Sequence, residues 1–536
     1  MKTQQTMKVK YEVRQRYAKR TAFMIFALMT ALSLLLTACG GGVAAGAGTA
    51  GDSGGGAAAA NDAGGSGDAG GGGGDVPTLI WFMGNPGQVP SDQAMVEDKL
   101  NEISVAKIGA KVKTIFMSSD EVMLAMSAGE NWDKTFTCEW YNNYASQALA
   151  GYFYDITEML PTLTPALWND MPEVVWEGAK INGKIMAVPV KKDYAAELYW
   201  RFDRDLFDSL DMKVPPTMSF FDVEPYMAAA KQAWKDGNPK AKVEYPLMLN
   251  RSGFGGILSV YDMINHEAMI GIPYSAIGTP DEDKVVLTIQ HPEALARLEV
   301  IHKWFKAGYI NPDAMTTDGE STLFAVRSGQ GFYGADAIWS SGSGFPNAIS
   351  KYSGPYLSTS SVRGSMNAIN ARSKNAEKTL KLMELISSDR EYRDILRYGV
   401  EGVHWTRQPD GLVKKTQAGL DGYTVWAFSQ GSYSGSSVEA AEGVEVDPDM
   451  WKVIFDSYDK EAKATKSIGF AFDPSSIEVE LAAVAAARSK YWDGISTGTL
   501  DPAVTIPQMM KELESAGIFK VLEECQKQYD AFLAAK

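Results

Sequence analysis

The amino-acid sequence predicts an α/β fold, because short apolar strands alternate with amphipathic helices at the start of its globular part. The elements follow in this order: strand 76–82, a helix from Ser91, strand 111–116, a helix around 122–126 and strand 135–138. Such alternation indicates a parallel sheet, and ligands of parallel sheets lie beyond the carboxyl ends of the strands. We therefore expect ligand contacts in loops 83–88 and 138–144.

The pattern downstream remains mixed α and β, and helical periodicity dominates its later part. Helices are predicted at 221–235, 292–307 and 374–387, the last with Ser373 as its cap, and two long helices at 476–495 and 505–535. A chain of 536 residues has room for about two to four compact units.

The net charge of −15 argues against one class of partner. The first twenty residues carry seven of the bases and only one acid, so the rest of the chain is still more acidic. An acidic body repels phosphate backbones and gains nothing from counterion release. The sequence thus predicts that no nucleic acid is bound.

The N-terminus has the pattern of an export signal. A basic region is followed by an uncharged apolar run over 21–36, which is short for a membrane span but typical of a signal-peptide core. The run ends in Leu36-Thr37-Ala38-Cys39-Gly40, which resembles the lipobox of bacterial lipoproteins. That resemblance implies removal of residues 1–38 and a lipid anchor on Cys39. A plain secretory signal or an uncleaved anchor helix is the alternative.

Residues 39–76 are almost entirely Gly, Ala, Ser, Asp, Asn and Thr. Such a segment buries too little apolar area to offset the entropy of ordering, so we predict a flexible tether. The two cysteines beyond it, Cys138 and Cys525, are expected to be separate thiols, although spacing alone leaves a disulfide open.

Four stretches, taken in order, resemble the extracellular solute-binding proteins of ABC importers, in the sugar-binding group. They are Trp176 to Val190, Arg327 to Trp339, Tyr398 to Trp405, and Gly469 to Ile518. More narrowly, the chain is similar to the LplA-like or LipO-like lipoproteins of Gram-positive bacteria, whose C-terminal part is the domain of unknown function DUF3502.

The resemblance implies a two-lobed periplasmic-binding-protein-like clamp of type II, with lobes joined by crossing segments that act as hinges. We expect one lobe to comprise 77–193 and 366–405, and the other 194–365 and 406–536, including the C-terminal helical region. The crossings are expected near 190–197, 362–368 and 403–408. The resemblance further implies a monomer without cofactor on the outer face of the cytoplasmic membrane. It would pass an extracellular carbohydrate, most simply an oligosaccharide, to ABC permease subunits.

Sugars are bound by flat aromatic faces and by planar amide or carboxylate groups. On that chemistry, combined with strand ends and the resemblance, the predicted ligand-binding residues are Asn85, Glu139, Trp140, Asn142, Tyr194, Glu197, Arg251, Asp336, Trp339, His404 and Trp405. Each could instead serve packing or a local ion pair, as Arg251 could with a neighbouring carboxylate.

No metal is predicted. Some relatives carry a calcium loop where this chain reads Asp236 to Pro246, but here two lysines and a proline replace oxygen ligands. The oxygen ligands that a seven-coordinate hard cation needs are therefore missing.

Three other functions remain as alternatives. A binding protein for a peptide or another polar nutrient would use the same clamp, because specificity lies in cleft side chains. A lipid-anchored glycosidase needs two carboxylates, yet no motif indicates such a pair and the four histidines are scattered. The third is a passive surface adhesin or a sensor-presenting binding protein. An adhesin would be expected to show β-rich repeats, and none are present after the tether.

Overall fold

The structure, a computed structural model, describes residues 76–84, 89–439 and 445–536. The predicted signal peptide, Cys39, nearly all of the tether and Asn85 lie outside these ranges. Among the described helices, none combines the length and the apolar character that crossing a bilayer requires.

The described chain alternates helices with short strands, so the predicted α/β class is confirmed. The helices are α1 Gln93–Ile108, α2 Ser119–Ser127, α3 Tyr144–Leu149, α4 Met159–Leu163, α5 Pro165–Asn169, α6 Glu173–Ala179, α7 Arg204–Ser209, α8 Glu224–Lys235, α9 Pro292–Lys306, α10 Ala335–Ser343, α11 Thr359–Val362, α12 Ala376–Ser388, α13 Arg390–Tyr398, α14 Gln417–Gly422, α15 Met450–Glu461, α16 Glu478–Ser489, α17 Trp492–Ser496, α18 Pro502–Ala516 and α19 Ile518–Ala535. The strands are β1 Thr78–Gly84, β2 Lys111–Met117, β3 Lys134–Thr137, β4 Lys180–Ile181, β5 Lys184–Ile185, β6 Ala187–Pro189, β7 Ala196–Asp203, β8 Tyr261–Asn265, β9 Ile270–Pro273, β10 Val286–Leu287, β11 Val326–Gly331, β12 Asn347–Leu357, β13 Met366–Ile369, β14 Trp405–Arg407, β15 Val413–Lys415 and β16 Lys463–Ala464.

The first lobe is built on a five-stranded sheet in the order β2-β1-β3-β13-β6. Strand β1 pairs in parallel with β2 and β3, as the alternation of elements predicts, whereas β13 runs antiparallel to both of its neighbours. Local sequence fixes the connecting helices. Ser118 and Glu121 form a capping box at the start of α2, and Gly109 ends α1 with φ +62°.

The second lobe is built on an antiparallel sheet in the order β11-β7-β12-β16, beside the three-stranded sheet β10-β9-β8. Aromatic rings fill its core. The ring centroid of Trp200 lies 5.4 Å from that of Phe220 and 6.1 Å from that of Trp304. The C-terminal helices pack into the same apolar cluster through Val484, Met509 and other buried side chains. The C-terminal region is therefore part of this lobe's core.

Two segments carry the chain between the sheets at the places that the sequence predicts. The first joins β6 to β7 at 190–195, and the second contains α11 between β12 and β13. The third prediction, 403–408, differs from the structure. There β14 and β15 form a hairpin whose Trp405 packs with Tyr398 at the end of α13, and the chain next pairs with the second sheet at β16.

The stretch 406–439, expected in the second lobe, packs on the first. Tyr423 belongs to the apolar cluster around β1, and Val438 to the cluster around β3. The long C-terminal helices are also divided. The predicted helix 476–495 becomes α16 and α17, and Gly517 with φ +93° separates α18 from α19.

Candidate functional site

A cavity of about 780 Å³ opens between the two lobes. Its lining comes from the loop after β3, both crossing segments, the loop after α14, several second-lobe loops and the C-terminal helices. Residues far apart in the sequence thus meet around one space that is large enough for a small ligand. We call this space the cleft.

The turn after β3 places two side chains in the cleft. Cys138 donates its backbone N–H to the carbonyl of Tyr141, and Tyr144 returns a hydrogen bond to the carbonyl of Cys138. This tight turn directs Glu139 and Trp140 outward, and 56% of Trp140 remains exposed. An indole exposed to that extent inside a concave site is a surface that a ligand can cover.

Trp140 belongs to an aromatic cluster with two rings from the loop after α14. Its ring centroid lies 5.8 Å from that of Trp426 and 5.9 Å from that of Phe428, both in edge-to-face orientation. All three rings line the cleft. The first lobe therefore presents a broad apolar face.

Trp339 also lines the cleft, but its ring is largely covered by protein. The Arg201 guanidinium lies 4.4 Å from the ring centroid, and Gly331 of β11 lies so close that an added Cβ would be 2.4 Å from the indole. Only glycine at this strand position lets the indole lie against the backbone. Trp339 thus offers a ligand less ring surface than Trp140 does.

The opposite wall is richer in polar groups. Ser252 and Ser259 of the second lobe and Ser360 and Ser361 of the second crossing line it. At the first crossing, Lys192 pairs with Asp193 at 3.1 Å, and Asp193 also accepts a hydrogen bond from Gln330. These groups can donate to or accept from hydroxyls.

Glu139 of the first lobe and His266 of the second face each other with 4.0 Å between Oε2 and Nε2. Burial raises the pKa of Glu139 to about 7, and the nearby carboxylate of Asp262 adds to the rise. Burial and the positive charge of Arg488 lower the pKa of His266. Both shifts favour neutral side chains, so this contact at 4.0 Å is not a strong ion pair.

A second cavity of about 740 Å³ adjoins the first, and the two share Glu139, Met263 and His266. Its lining includes Arg363 of the second crossing, which is buried and donates to the carbonyls of Gly178, Lys180 and Phe470. The cleft therefore continues past the Glu139–His266 contact.

The structure brings Glu139, Trp140 and Trp339 of the predicted ligand-binding residues together in the cleft. Asn142 belongs to the same turn but is buried, with φ +45° and its side-chain amide on the carbonyl of Phe136. It shapes the turn that exposes Trp140.

Two predicted residues at the first crossing serve packing and charge pairing instead. Tyr194 is stacked on Phe455 with 5.5 Å between ring centroids. Glu197 is buried and pairs with Lys351 at 2.9 Å. The crossing segment contacts the cleft through Lys192 and Asp193, which directly precede Tyr194.

The remaining predicted residues that the structure describes lie away from the cleft. Arg251 pairs with Asp318 on the surface at 2.9 Å, which is the alternative that the sequence left open, and Asp336 lies 3.5 Å from Arg204. His404 is fully buried, accepts from the backbone N–H of Val400 and lies 3.1 Å from Asp92. Trp405 is buried and donates its indole N–H to the carbonyl of Gly399. Because 403–408 is not a crossing, these last two stabilise the first lobe.

Sequence reasoning missed the loop after α14 and the C-terminal contributors. Trp426, Phe428 and Tyr433 line the cleft from the first lobe, and Arg488 and Trp492 from the second. A signal existed for the first group, because three aromatic residues lie in a stretch rich in Gly and Ser without helical spacing. Arg488 and Trp492 carry no comparable signal.

In the stretch Asp236 to Pro246, where some relatives carry a calcium loop, lysine ammonium groups lie beside carboxylates. Lys240 lies 3.4 Å from a carboxylate oxygen of Asp205, and Lys242 pairs with the buried carboxylate of Asp203. Within the described ranges, no group of three or more His, Cys, Asp or Glu side chains is arranged to hold a metal ion.

A cleft between two α/β lobes joined by crossing segments is an arrangement in which the lobes can close around a ligand. The comparisons agree with the resemblance seen in the sequence. Residues 466–534 match the model of the domain of unknown function DUF3502, so that prediction is confirmed. The chain is also 26% identical, over 86% of its length and 92% of the relative, to a carbohydrate ABC transporter substrate-binding protein of Streptococcus pneumoniae serotype 4.

Solved structures show the same fold. The N-glycan transport solute binding protein NgtS from Streptococcus pneumoniae superposes with a TM-score of 0.74 at 23% identity, covering 85% of this chain and 99% of that one. The same protein in complex with Man5GlcNAc gives 0.69 at 24% identity, over 86% and 99%. An extracellular solute-binding protein from Bifidobacterium longum subsp. infantis gives 0.53 at 15% identity, over 85% and 98%. The predicted two-lobed fold is thus confirmed.

Proposed function

We propose that this protein captures an extracellular oligosaccharide in the cleft and delivers it to the permease subunits of an ABC importer. The observation that carries the proposal is the exposed face of Trp140 within the cluster of Trp426 and Phe428, opposite a wall of hydroxyl groups. A sugar ring has an apolar C–H face and a polar edge, which match these two surfaces.

The relatives support a carbohydrate as the solute. The pneumococcal relative bears that word in its name, and NgtS is described as an N-glycan transport protein with an oligosaccharide bound. We infer that the lobes close on the ligand about the crossings at 190–195 and around α11. Ligand binding then shifts an equilibrium between open and closed forms, and the permease recognises the closed one.

The test is direct titration by calorimetry of the mature protein. The panel contains mannose–N-acetylglucosamine oligosaccharides, malto-oligosaccharides and oligogalacturonides, each as a disaccharide and a pentasaccharide, together with a pentapeptide of neutral residues. Saturable binding of one saccharide without its degradation is the expected result. Binding of the peptide alone, or shortening of a saccharide, overturns the proposal.

Trp140→Ala should weaken the best saccharide by about 1–3 kcal/mol, or roughly 5- to 150-fold in Kd, because it removes the open ring face. Trp234→Ala is the matched control, since Trp234 is also exposed but lies on α8 and does not line the cleft. Equal affinities of the two variants would remove Trp140 from the site.

We further propose that the protein is held at the outer face of the cytoplasmic membrane by acylation of Cys39. The proposal rests on the lipobox-like residues Leu36 to Cys39 and on the Gly-rich stretch after them. Two acyl chains anchor a protein stably, whereas one does so only marginally. In cells fed labelled palmitate, the wild type should carry the label in the membrane fraction, and Cys39→Ser should carry none. Label on the variant contradicts the anchor.

A further inference from the structure

The DUF3502 region, residues 466–534, forms a border of the cleft. Arg488 and Trp492 line the cavity of about 780 Å³, while Phe472, Glu478 and Leu481 line the adjoining one. Because this region shares the apolar core of the second lobe, these positions are packed against that lobe. The region therefore lies where a ligand in the cleft can contact it.

A specific contact fixes the end of α17 beside a cleft loop. Phe254 donates its backbone N–H to the carbonyl of Ser496 at 2.9 Å. Next to it, Gly253 has φ +74°, and an added Cβ would lie 1.9 Å from the hydroxyl oxygen of Ser496. Only glycine allows the loop and the helix to approach this closely. The position of Trp492 relative to Phe254 is thus set by backbone contacts.

Arg488 is a cation whose partner is an aromatic ring. Its guanidinium carbon lies 5.2 Å from the ring centroid of Trp492. Within the described part of the chain, no carboxylate lies at ion-pair distance from it, and its shielded Nε–H has no hydrogen-bond acceptor. An unsatisfied shielded donor carries an uncompensated desolvation cost, so an acceptor from outside the chain would stabilise it.

We propose that the DUF3502 region supplies a sugar subsite of the cleft, formed by Arg488 and Trp492. Trp492 contacts the C–H face of one pyranose ring, and the guanidinium donates hydrogen bonds to oxygen atoms of the same unit. Those oxygens belong either to hydroxyls of a neutral sugar or to the carboxylate of a uronic acid. The subsite deepens the proposed function and rests on it, because it requires an oligosaccharide in the cleft.

The experiment uses Arg488→Gln and Trp492→Ala in the mature chain. Both are titrated with the pentasaccharide and the disaccharide of each sugar series named above. We expect a roughly 5- to 150-fold loss for the pentasaccharide that binds best, because each variant removes one direct contact with a sugar unit. The disaccharide, held at the Trp140 wall, should change less than about twofold, whereas Trp140→Ala should weaken both lengths.

The controls are Arg372→Gln and Trp234→Ala, which alter exposed residues of the same types outside the cleft. Unchanged pentasaccharide binding by both subsite variants overturns the subsite, while the loss in Trp140→Ala still supports the proposed function. An equal loss for both lengths with a lowered melting temperature also overturns it, because that result indicates a structural role. If the wild type binds no saccharide, the proposed function fails and the subsite fails with it.

Comparing the oligogalacturonides with the neutral saccharides then shows which kind of oxygen accepts the hydrogen bond from Arg488. A loss confined to oligogalacturonides in Arg488→Gln supports a subsite for a carboxylate. A loss with a neutral series supports one for hydroxyls.

Discussion

The two walls of the cleft differ in chemistry. The first-lobe wall is aromatic, with Trp140, Trp426 and Phe428 within 5.9 Å of one another between ring centroids. The second-lobe wall carries serine hydroxyls, Gln330 and the guanidinium of Arg488. Apolar contact is tolerant of detail, whereas hydrogen bonds require matched positions. The comparison suggests that the first wall supplies affinity for sugar rings in general and the second distinguishes between sugars.

The largest expected effect concerns Arg363, which joins the two halves beneath the cleft. It is buried, and it donates to Gly178 and Lys180 on one side and to Phe470 of the C-terminal region on the other. Arg363→Gln leaves buried carbonyls without donors and should lower the free energy of unfolding by about 2–4 kcal/mol. Urea denaturation measures the change, and Arg372→Gln on the surface should change it by less than about 0.5 kcal/mol. Equal stability of the two variants would mean that the hydrogen bonds of Arg363 do not hold the two lobes together.

The second prediction compares Trp426, in the exposed aromatic wall, with Trp339, whose ring is largely covered by protein. Trp426→Ala should weaken saccharide binding by about 1–2 kcal/mol, because it removes part of the cluster around Trp140. Trp339→Ala should affect the melting temperature more than the affinity, since its ring packs on Arg201 and Gly331. Calorimetric titration and thermal melting of both variants test this. If Trp339→Ala weakened saccharide binding more than Trp426→Ala did, Trp339 would be the main aromatic contact of the ligand.

The third prediction concerns Glu139, where the walls meet. Its folded pKa of about 7 exceeds the ordinary value of 4.5, so the stability due to its neutral form is present below pH 4.5. That stability is lost as the pH rises through 7. Glu139→Gln cannot ionise, so the wild type should lose about 1 kcal/mol relative to the variant between about pH 5 and pH 8. Melting curves across this range should diverge, and parallel curves would contradict the raised pKa.

The smallest expected effect is the reactivity of the two cysteine thiols, one in each lobe. Cys138 lies beneath the aromatic wall and Cys525 in α19, and both are free and buried. Burial raises the pKa of each thiol to about 12, so little reactive thiolate forms near neutral pH. Neither should react with a maleimide at neutral pH until the protein opens. Mass spectrometry after timed labelling locates the modified residue, and rapid labelling of Cys138 alone would show that the aromatic wall opens locally.

Much of the fold could be predicted from local pattern. Strands β1, β2 and β3 stand where the apolar runs predict them, and α8, α9 and α12 agree with their predicted spans within a few residues. The third crossing and the place of 406–439 could not be predicted, because they depend on which core accepts Tyr423 and Trp405. The sequence around Tyr423 and Trp405 has the same apolar character whichever lobe these residues pack into.

The candidate site divides in the same way. Glu139 and Trp140 were predicted because a strand end places them. Trp426 was missed although it lies among aromatic residues in a stretch rich in Gly and Ser, and nothing near Trp492 in sequence indicates the cleft. His404 and Glu197 have residue types typical of binding sites, yet they are buried with partners of their own. Residue type alone does not separate a ligand contact from an internal one.

The sequence by itself determined the α/β class and the acidic character and predicts an export signal, because each depends on composition or on short-range periodicity. The tertiary structure decided which aromatic and charged side chains face one another across the cleft. Trp140, Trp426 and Trp492 come together only because two lobes and a C-terminal helical region pack around one cavity. Such long-range packing is set by the burial of whole faces, which no local stretch of sequence encodes.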